Sequence, residues 1–368
     1  MTYVHEIGLS DVISKLPDIS PMQIEKDFPS LKEDLFLCAL GFEDRCTWIP
    51  QLISKKGKYK CGEVIYFEYS TNPEDNEVNR IELVEALRTF SDVVTPMQCD
   101  SEDFAATLQQ ILTRLCQREE YPKVTFDISV CSSKLLLTVL KNLCQFKVEL
   151  RLVYSEADIY HPTKDELGQT KKEPGEEKFG LTRGVSRVFP SREYPGWNLD
   201  ALPEAIIAFA TFSPDRTKAM IAYIDENLLQ KPGDRVIWVI GKPHLEEDYW
   251  RIDHLVEVNE VSTQSQSFEV STFDYKETLR TLHRIYKQYS SKYHLNITPL
   301  GSKMQCLGIA LFCCMKPDVT IMFAPPVEYN ASHYSEGCKA TWVIEFGRLN
   351  DVLDVLGEVG VIRIEKKA

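Results

Sequence analysis

Apolar residues of this chain fall into short continuous runs, and amphipathic stretches separate these runs. In the first half the apolar runs predict strands, and the stretches between them predict helices because their apolar residues recur every three or four positions. The predicted strands are residues 35–40, 63–69, 92–98, 123–128 and 147–154, and the predicted helices are residues 44–55, 77–90, 102–118 and 133–145. Strands without a polar face are buried on both sides, and intervening helices join parallel neighbours, so the pattern predicts a doubly wound parallel sheet.

The second half of the chain repeats the first. Residues 31–160 match residues 202–331 in order, at a nearly constant shift of about 171 positions, as from Leu35 to Ile206. The repeat predicts strands near 205–211, 235–241, 294–298 and 318–324, and helices near 214–229, 275–291 and 302–315. The match is weakest between 241 and 273, where the polar run 262–267 predicts a loop. The expected fold class is therefore α/β, with two tandem Rossmann-like units that form a pseudo-dimer by internal duplication.

Segments outside the two units are short. The predicted organisation is a leader helix and loop at 1–30, a first unit at 31–160, a charged connector with a possible strand at 161–200, a second unit at 201–348, and a helix and strand tail at 349–368. In the connector, Gly184–Phe189 resembles Ala340–Glu345 of the second unit. We expect each of these two segments to form a final antiparallel strand.

Composition narrows the possible environments and partners. The 368 residues are 43% apolar, and no apolar run reaches the roughly 20 residues that a membrane span needs. The first residues lack the basic and apolar regions of a signal peptide. The 11 cysteines show no framework spacing, which indicates reduced thiols, and we expect a cytoplasmic protein. A net charge of −13 argues against non-specific DNA or RNA binding but permits a small anionic ligand held by a few local donors.

One turn recurs in both units after the fourth strand. It comprises residues 126–134 in the first unit and 295–303 in the second, and each ends in Ser-Lys at the start of a helix. Free amides and the positive end of the helix dipole favour an anion at such a turn, although a serine there can simply cap its helix. The candidate ligand-binding residues at these turns are Asp127, Ser133, Lys134, Asn296, Thr298, Gly301, Ser302 and Lys303.

The second-unit turn resembles that of CARF domains, the Rossmann-like sensors of cyclic oligonucleotides in CRISPR-linked immunity. Asn296 to Lys303 is the nearer match, whereas Asp127 to Lys134 keeps the acidic residue and lacks the glycine. Two fused units of this kind are similar to the SAVED domain of CBASS anti-phage effectors. The resemblance implies a cyclic oligonucleotide ligand. Because Asp127 carries a charge where Asn296 does not, and Gly301 has no counterpart in the first unit, we expect phosphate on the second unit and a ribose or base contact on the first. Those sensors usually carry an effector domain, and this sequence offers no segment large enough for one.

The turn after the first strand of each unit supplies further candidates. Arg45 and Arg216 follow an aspartate at a predicted helix start, so each is either part of a local Asp–Arg pair or a phosphate or base ligand. Tyr329 and its counterpart Tyr160 are either stacking residues or buried tyrosines at a strand exit. Weaker candidates are Glu68, where Rossmann folds often place a ribose-binding acid, and His333, a possible acid or base.

Motifs for several chemistries are absent. The sequence has no phosphate-binding G-x-x-x-x-G-K-[ST], no G-x-G-x-x-G, no H-E-x-x-H and no G-x-S-x-G, and its histidines show no metal-ligand spacing. We therefore expect no cofactor and no metal. The leading hypothesis is a sensor of an anionic nucleotide-type ligand that acts on a separate effector protein in antiviral defence. One alternative is a metal-independent phosphodiesterase of the ring-nuclease type, in which a ribose 2′-hydroxyl of the bound nucleotide would be the nucleophile. The other is a structural subunit of a defence complex.

Overall fold

The structure, a computed structural model, describes residues 2–28, 32–56, 58–170, 180–198 and 200–366. The charged run at the middle of the predicted connector, residues 171–179, lies outside the described residues, as do the predicted unit boundaries near 29–31. No helix in the described part of the chain is long and apolar enough to cross a membrane.

Each unit alternates strands and helices, as the apolar pattern predicts. The first unit, with the segment before it, consists of β1 (Thr2–Glu6), α1 (Leu9–Ile13), β2 (Ser20–Pro21), α2 (Ile24–Asp27), β3 (Lys32–Ala39), α3 (Arg45–Lys56), β4 (Lys60–Glu68), α4 (Pro73–Glu77), α5 (Arg80–Arg88), β5 (Val94–Gln98), α6 (Phe104–Arg118), β6 (Lys123–Asp127), α7 (Ser133–Leu143) and β7 (Glu149–Glu156). The segment after β7 contains β8 (Ile159–Tyr160), α8 (Lys164–Thr170), β9 (Thr182–Arg183) and β10 (Phe189–Pro195).

The second unit and the tail complete the chain. They consist of β11 (Glu204–Phe209), α9 (Pro214–Ile224), β12 (Val236–Lys242), α10 (Trp250–Val258), β13 (Ser267–Ser271), α11 (Tyr275–Tyr289), β14 (His294–Thr298), α12 (Lys303–Met315), β15 (Thr320–Phe323), β16 (Glu328–Tyr329), β17 (Ser335–Glu336), β18 (Ala340–Arg348), α13 (Leu349–Gly357) and β19 (Ile362–Lys366). Short 3₁₀ turns occur at Glu226–Leu229, Glu246–Asp248 and Ala331–His333.

The two main sheets have the same topology, which confirms the predicted fold class. The strand order is β2-β18-β7-β6-β3-β4-β5 in the first unit and β10-β15-β14-β11-β12-β13 in the second. The five consecutive strands of each unit are parallel, and an antiparallel strand closes one side. In both sheets the first strand of the unit lies between the second and the fourth. The chain therefore adds its next two strands on one side of the first strand and the last two on the other side. This topological switch point is where doubly wound sheets bind ligands.

The antiparallel strand of each sheet comes from the segment that follows the other unit. β10 follows the first unit in sequence but pairs with β15 of the second, for example through Pro190 and Met322. β18 follows the second unit but pairs with β7 of the first, through Val343 and Val153. The predicted final strand at 340–345 lies within β18, whereas the prediction for 184–189 was wrong in its bounds, because residues 184–188 are irregular and β10 begins at Phe189. The exchange ties the two units together through main-chain hydrogen bonds.

Helices α7 and α12 lie side by side between the two sheets. Both are apolar around most of their circumference, which is typical of helices buried on all sides. Ser133, the first residue of α7, lies close to Cys306 in the first turn of α12, while Cys144 and Cys314 meet near the other ends of the two helices. The helices are therefore parallel, with their N-terminal ends next to each other. One continuous apolar core includes residues of both units.

The structure differs from the sequence pattern in three places. The predicted helix at 77–90 is the shorter α5, which begins at Arg80 after a turn at Val78 and Asn79, and a separate helix, α4, precedes it. The weakly matching region contains α10 and β13, which are the counterparts of α5 and β5 and complete the repeat. The predicted leader helix is the short α1, preceded by β1, which pairs with the C-terminal β19.

Candidate functional site

A cavity of about 420 Å³ lies between the two units, at the carboxyl ends of their parallel strands. The turns after β3 and β6 line it from the first unit, and the turns after β11 and β14 line it from the second. Its volume lies in the range of small-molecule sites. Eight of the eleven predicted ligand-binding residues line this cavity: Ser133, Lys134, Gly301, Ser302, Lys303, Arg45, Arg216 and Tyr329.

The remaining three predicted residues are buried in the sheets and do not line the cavity. Asp127 accepts hydrogen bonds from the amide and hydroxyl of Ser129. Asn296 donates to the carbonyl of Ala205, and the Thr298 hydroxyl oxygen accepts from the amide of Phe209 at 3.0 Å. These side chains hold the strand ends in place, which the motif alone could not distinguish from ligand contact.

Serines at the two turns have different roles. Ser132 caps α7, since its hydroxyl oxygen accepts from the Leu135 amide at 3.2 Å, and this leaves Ser133 to contact Cys306 of the other unit. Ser302 caps α12 by accepting from the Gln305 amide at 3.1 Å, and its hydroxyl donates to the Thr272 carbonyl. The Ser302 hydroxyl therefore caps α12, which is the capping alternative that the sequence left open.

Gly301 is required at its position for reasons of space. A Cβ atom there would come within 2.3 Å of Gln305 Oε1 and 2.9 Å of the Phe209 ring. Gln305 in turn accepts from the Ser302 amide at 2.9 Å and completes a capping box. The glycine thus lets the turn fold closely over the start of α12, and the backbone of the turn lines the cavity.

Two lysines mark the two turns and differ in their partners. The Lys134 ammonium lies 3.5 Å from the Asp100 carboxylate, and both side chains are partly exposed. The Lys303 ammonium has no hydrogen-bond or ion-pair partner among the described residues. Burial lowers the pKa of Lys303, and the nearby Glu43 carboxylate opposes that effect. A desolvated cation without a paired carboxylate is a strong local attraction for an anion, because water screens it poorly.

The two arginines of the first-strand turns also differ. Arg45 is almost completely buried and donates to Glu43 Oε2 through Nε at 3.1 Å and Nη2 at 2.7 Å. It also donates to the Ser155 carbonyl at 3.1 Å. The predicted local pair therefore forms with Glu43 rather than Asp44, and the charge of Arg45 is already neutralised.

Arg216, the counterpart of Arg45, remains available to a ligand. Its Nε donates to the Ala324 carbonyl at 2.7 Å, and it forms no ion pair within the described part of the chain. Burial raises the pKa of Tyr329 and of Tyr334, and in both cases the Arg216 guanidinium opposes the rise, which places this cation beside both phenols. The second unit thus contributes two cations, Lys303 and Arg216, that have no ion-pair partner among the described residues.

Aromatic rings line the same cavity. Phe42, Tyr329 and Tyr334 form a cluster with ring centroids 5.7 to 6.3 Å apart. Elsewhere in the lining, the Tyr160 hydroxyl lies 2.7 Å from the Tyr154 hydroxyl. Rings beside cations are the combination that binds the faces and phosphates of nucleotides.

Two crossing arms cover the cavity. The first arm follows β7 and contains β8 and β9, and the second arm follows β15 and contains β16 and β17. β8 pairs with β17, and β9 pairs with β16. The Asn72 side chain makes two hydrogen bonds of 2.9 Å with the main chain of Tyr329. The Arg251 side chain donates to the Tyr160 carbonyl at 2.7 Å. Each arm therefore docks on the unit opposite to the one that it leaves.

Several cavity residues were missed by the sequence analysis. His244 Nε2 lies 3.1 Å from the buried carboxylate of Glu156, and its ring packs on Phe273 at 4.7 Å. Both His244 and Phe273 fall in the weakly matching region, so the repeat gave no signal for them. The weaker candidates lie elsewhere: Glu68 is bound to Arg80, and neither it nor His333 lines the cavity. The described residues contain no group of three or more potential metal ligands.

Asp127 gives the site a testable pH dependence. Burial raises its pKa to about 6, and the hydrogen bonds from Ser129 oppose this only in part. The carboxyl titrates near 3.8 in the unfolded chain. The free energy of unfolding of the protein therefore falls as the pH rises from 4 to 6, by about 3 kcal/mol at most, and stays at the lower value above pH 6. Replacing Asp127 with Asn, the residue at the equivalent Asn296, keeps an acceptor for Ser129.

We expect Asp127→Asn to raise the free energy of unfolding at pH 7 by about 1–3 kcal/mol and to leave it unchanged at pH 4. Urea denaturation of both proteins at the two pH values measures this difference. An equal effect at pH 4 and pH 7 would show that ionisation of Asp127 is not its cause.

Fold and site together define a duplicated α/β protein whose two Rossmann-like units share one ligand-sized cavity. No protein-family model matches the chain, and no curated protein matches it. A solved type III CRISPR defence DNA nuclease activated by cyclic oligoadenylate is similar at 8% identity and a TM-score of 0.44, over 75% of this chain and 63% of the nuclease chain. This chain thus spans less than two thirds of that nuclease.

Other solved structures are less similar. The cytoplasmic domain of a prokaryotic cation chloride cotransporter aligns at 9% identity and a TM-score of 0.25, over 82% of this chain and 99% of its own. A universal stress protein from Archaeoglobus fulgidus aligns at 9% identity and a TM-score of 0.23, over 81% and 97%. All these TM-scores are below 0.5.

Proposed function

We propose that this protein is a sensor that binds one anionic nucleotide-type ligand, a cyclic oligonucleotide, in the cavity between its two units. The observation on which the proposal depends is that both Ser-Lys helix starts line one cavity, in which Lys303 and Arg216 form no ion pair with any residue that the structure describes. Phosphate oxygens of the ligand would pair with these two cations and with free amides of the second-unit turn.

The first unit would contribute a different kind of contact. Its lysine is paired with Asp100 and its arginine with Glu43, so it offers less net positive charge than the second unit. It offers instead carboxylate acceptors and the Tyr154–Tyr160 pair, which suit a ribose hydroxyl or a base edge. The cavity therefore favours a ligand whose phosphates lie nearer the second unit.

The covering arms supply a way to signal. Since each arm docks on the opposite unit, a ligand that contacts both units and the tyrosines of the arms changes how tightly the arms close. A separate effector protein, in an antiviral defence system, would recognise the closed form. The ligand class and the defence role come from the resemblance of the Ser-Lys turn to that of CARF domains, and the cation geometry supports an anionic ligand.

A ligand panel tests the proposal. The full chain is incubated with cyclic dinucleotides, cyclic tri- and tetra-adenylate and their linear counterparts, and the melting temperature and the recovered nucleotides are measured. We expect at least one cyclic compound to raise the melting temperature by several degrees and to be recovered intact. Recovery of linear products would replace the sensor by the phosphodiesterase alternative. No stabilisation by any compound would favour a structural subunit.

A further inference from the structure

A second cavity, of about 340 Å³, lies at the far ends of α7 and α12. Its lining includes Cys144 and Cys314, whose sulfur atoms are 3.7 Å apart in S–H···S contact. The two cysteines are 170 positions apart, close to the shift of the repeat, so they occupy equivalent places in the two units. The thiol pair therefore lies where the units meet, about 16 Å along α7 from its Ser-Lys turn.

The surroundings of this thiol pair favour an anionic reagent. Lys141 and Lys316 line the cavity beside the two cysteines, and its lining residues include no aspartate or glutamate. Cys144 and Cys314 are partly exposed residues, whereas the neighbouring Cys313 is fully buried. The pKa of Cys314 is lowered by a hydrogen bond from the Cys144 thiol and by the Lys141 ammonium, which raises its thiolate fraction.

We propose that Cys144 and Cys314 form a modification site, a dithiol that small anionic disulfides of the glutathione type oxidise to a disulfide joining the two units. The sulfur atoms must approach from 3.7 Å to about 2.05 Å. Cys144 is the C-cap of α7 and Cys314 is the penultimate residue of α12, so both lie at helix ends, where the backbone can adjust. This inference does not depend on the identity of the ligand in the larger cavity.

The reaction is two successive thiol–disulfide exchanges. The Cys314 thiolate attacks one sulfur of oxidised glutathione, which forms a mixed disulfide and releases one glutathione thiolate. Cys144 then loses its proton to the released glutathione thiolate and attacks the Cys314 sulfur, which forms the protein disulfide and releases the second glutathione. The two protein thiols lose two electrons and two protons, and one molecule of oxidised glutathione becomes two of the reduced form.

The disulfide would hold α7 and α12 at one end while the two Ser-Lys turns stand at the other. Because it joins equivalent positions on the two units, it fixes the spacing of these helices without blocking the larger cavity. It also closes a long loop in the unfolded chain, which raises the melting temperature.

Mass spectrometry of the full chain tests the site. The reduced protein is equilibrated with oxidised glutathione, free thiols are alkylated, and the peptides are mapped. We expect a Cys144–Cys314 disulfide, a melting temperature raised by several degrees, and reversal of both by dithiothreitol. Cys116, which is partly accessible without a second thiol beside it, serves as an internal control and forms no intramolecular disulfide.

Matched serine variants separate the two steps. Cys144→Ser should stop at a glutathione adduct on Cys314, Cys314→Ser should give no protein disulfide, and Cys313→Ser should react like the wild type. Recovery of Cys144 and Cys314 in alkylated form from the wild type overturns the proposal, as does a disulfide between other cysteines. The wild-type result decides the question even if a variant folds poorly.

Discussion

Replacement of Lys303 by Ala is expected to weaken binding of the stabilising cyclic nucleotide by about 10- to 150-fold, the equivalent of one charged hydrogen bond of about 1.5–3 kcal/mol. The reason is that partial burial desolvates the Lys303 ammonium, which has no ion-pair partner within the described residues, so water screens its attraction for a phosphate only weakly. Isothermal titration calorimetry at constant ionic strength measures the effect.

Two further lysine variants serve as controls. Lys134→Ala should weaken binding by less than Lys303→Ala, because Lys134 already pairs with Asp100 at 3.5 Å. Lys292→Ala removes an exposed lysine outside the cavity lining and should leave binding unchanged. Equal losses of affinity in the Lys303→Ala and Lys292→Ala variants would show that the ligand does not bind in this cavity.

Lys303 should also oppose folding in the free protein. Its lowered pKa means that the unfolded chain holds a proton there more tightly than the folded chain does, so the charge destabilises the fold at neutral pH. Lys303→Met, which keeps the length of the side chain without the charge, should therefore unfold at a higher temperature than the wild type while it loses the ligand. Loss of binding would then not be a consequence of misfolding.

Glu43→Ala has the largest effect that we expect on stability, a loss of about 3–5 kcal/mol in the free energy of unfolding. Removing the carboxylate leaves the buried Arg45 guanidinium without a counter-charge and deprives the Ser335 hydroxyl of its acceptor. Urea denaturation followed by circular dichroism measures the change. Because Ser335 belongs to the arm that leaves the second unit, the variant should also loosen the cover of the cavity.

Matched variants show whether burial is the cause. Glu77→Ala removes a mostly exposed partner of Arg80 and should cost less than 1 kcal/mol. The double variant Glu43→Leu/Arg45→Met removes both buried charges and should recover most of the loss. A loss below 1 kcal/mol for Glu43→Ala alone would mean that Arg45 finds another partner or water.

Much of the fold follows from local pattern. Buried parallel strands are continuous apolar runs, so the sequence predicted all five parallel strands of the first unit and four of the second. The fifth, β13, is an edge strand in which Phe268 and Val270 alternate with polar residues, and so it lacks the apolar run that marked the others. The local pattern could not predict the strand exchange, because β10 and β18 are antiparallel strands that fit the edge of either sheet.

The candidate site was predictable in position but not in detail. Duplication and topology together place both Ser-Lys turns at strand ends, and the structure brings them to one cavity. The sequence could not reveal that Glu43 neutralises Arg45, that Thr272 accepts from Ser302, or that Asp127 points into the sheet. These outcomes depend on the direction of side chains and on contacts between residues far apart in the chain.

Binding stoichiometry tests the central claim most directly, because a cavity shared by two units holds one ligand whereas two independent turns hold two. Isothermal titration of the full chain with the cyclic nucleotide that stabilises it should give one ligand per chain. Two ligands per chain, or one ligand whose affinity is the same in the Lys303→Ala variant, would contradict a single site between the units.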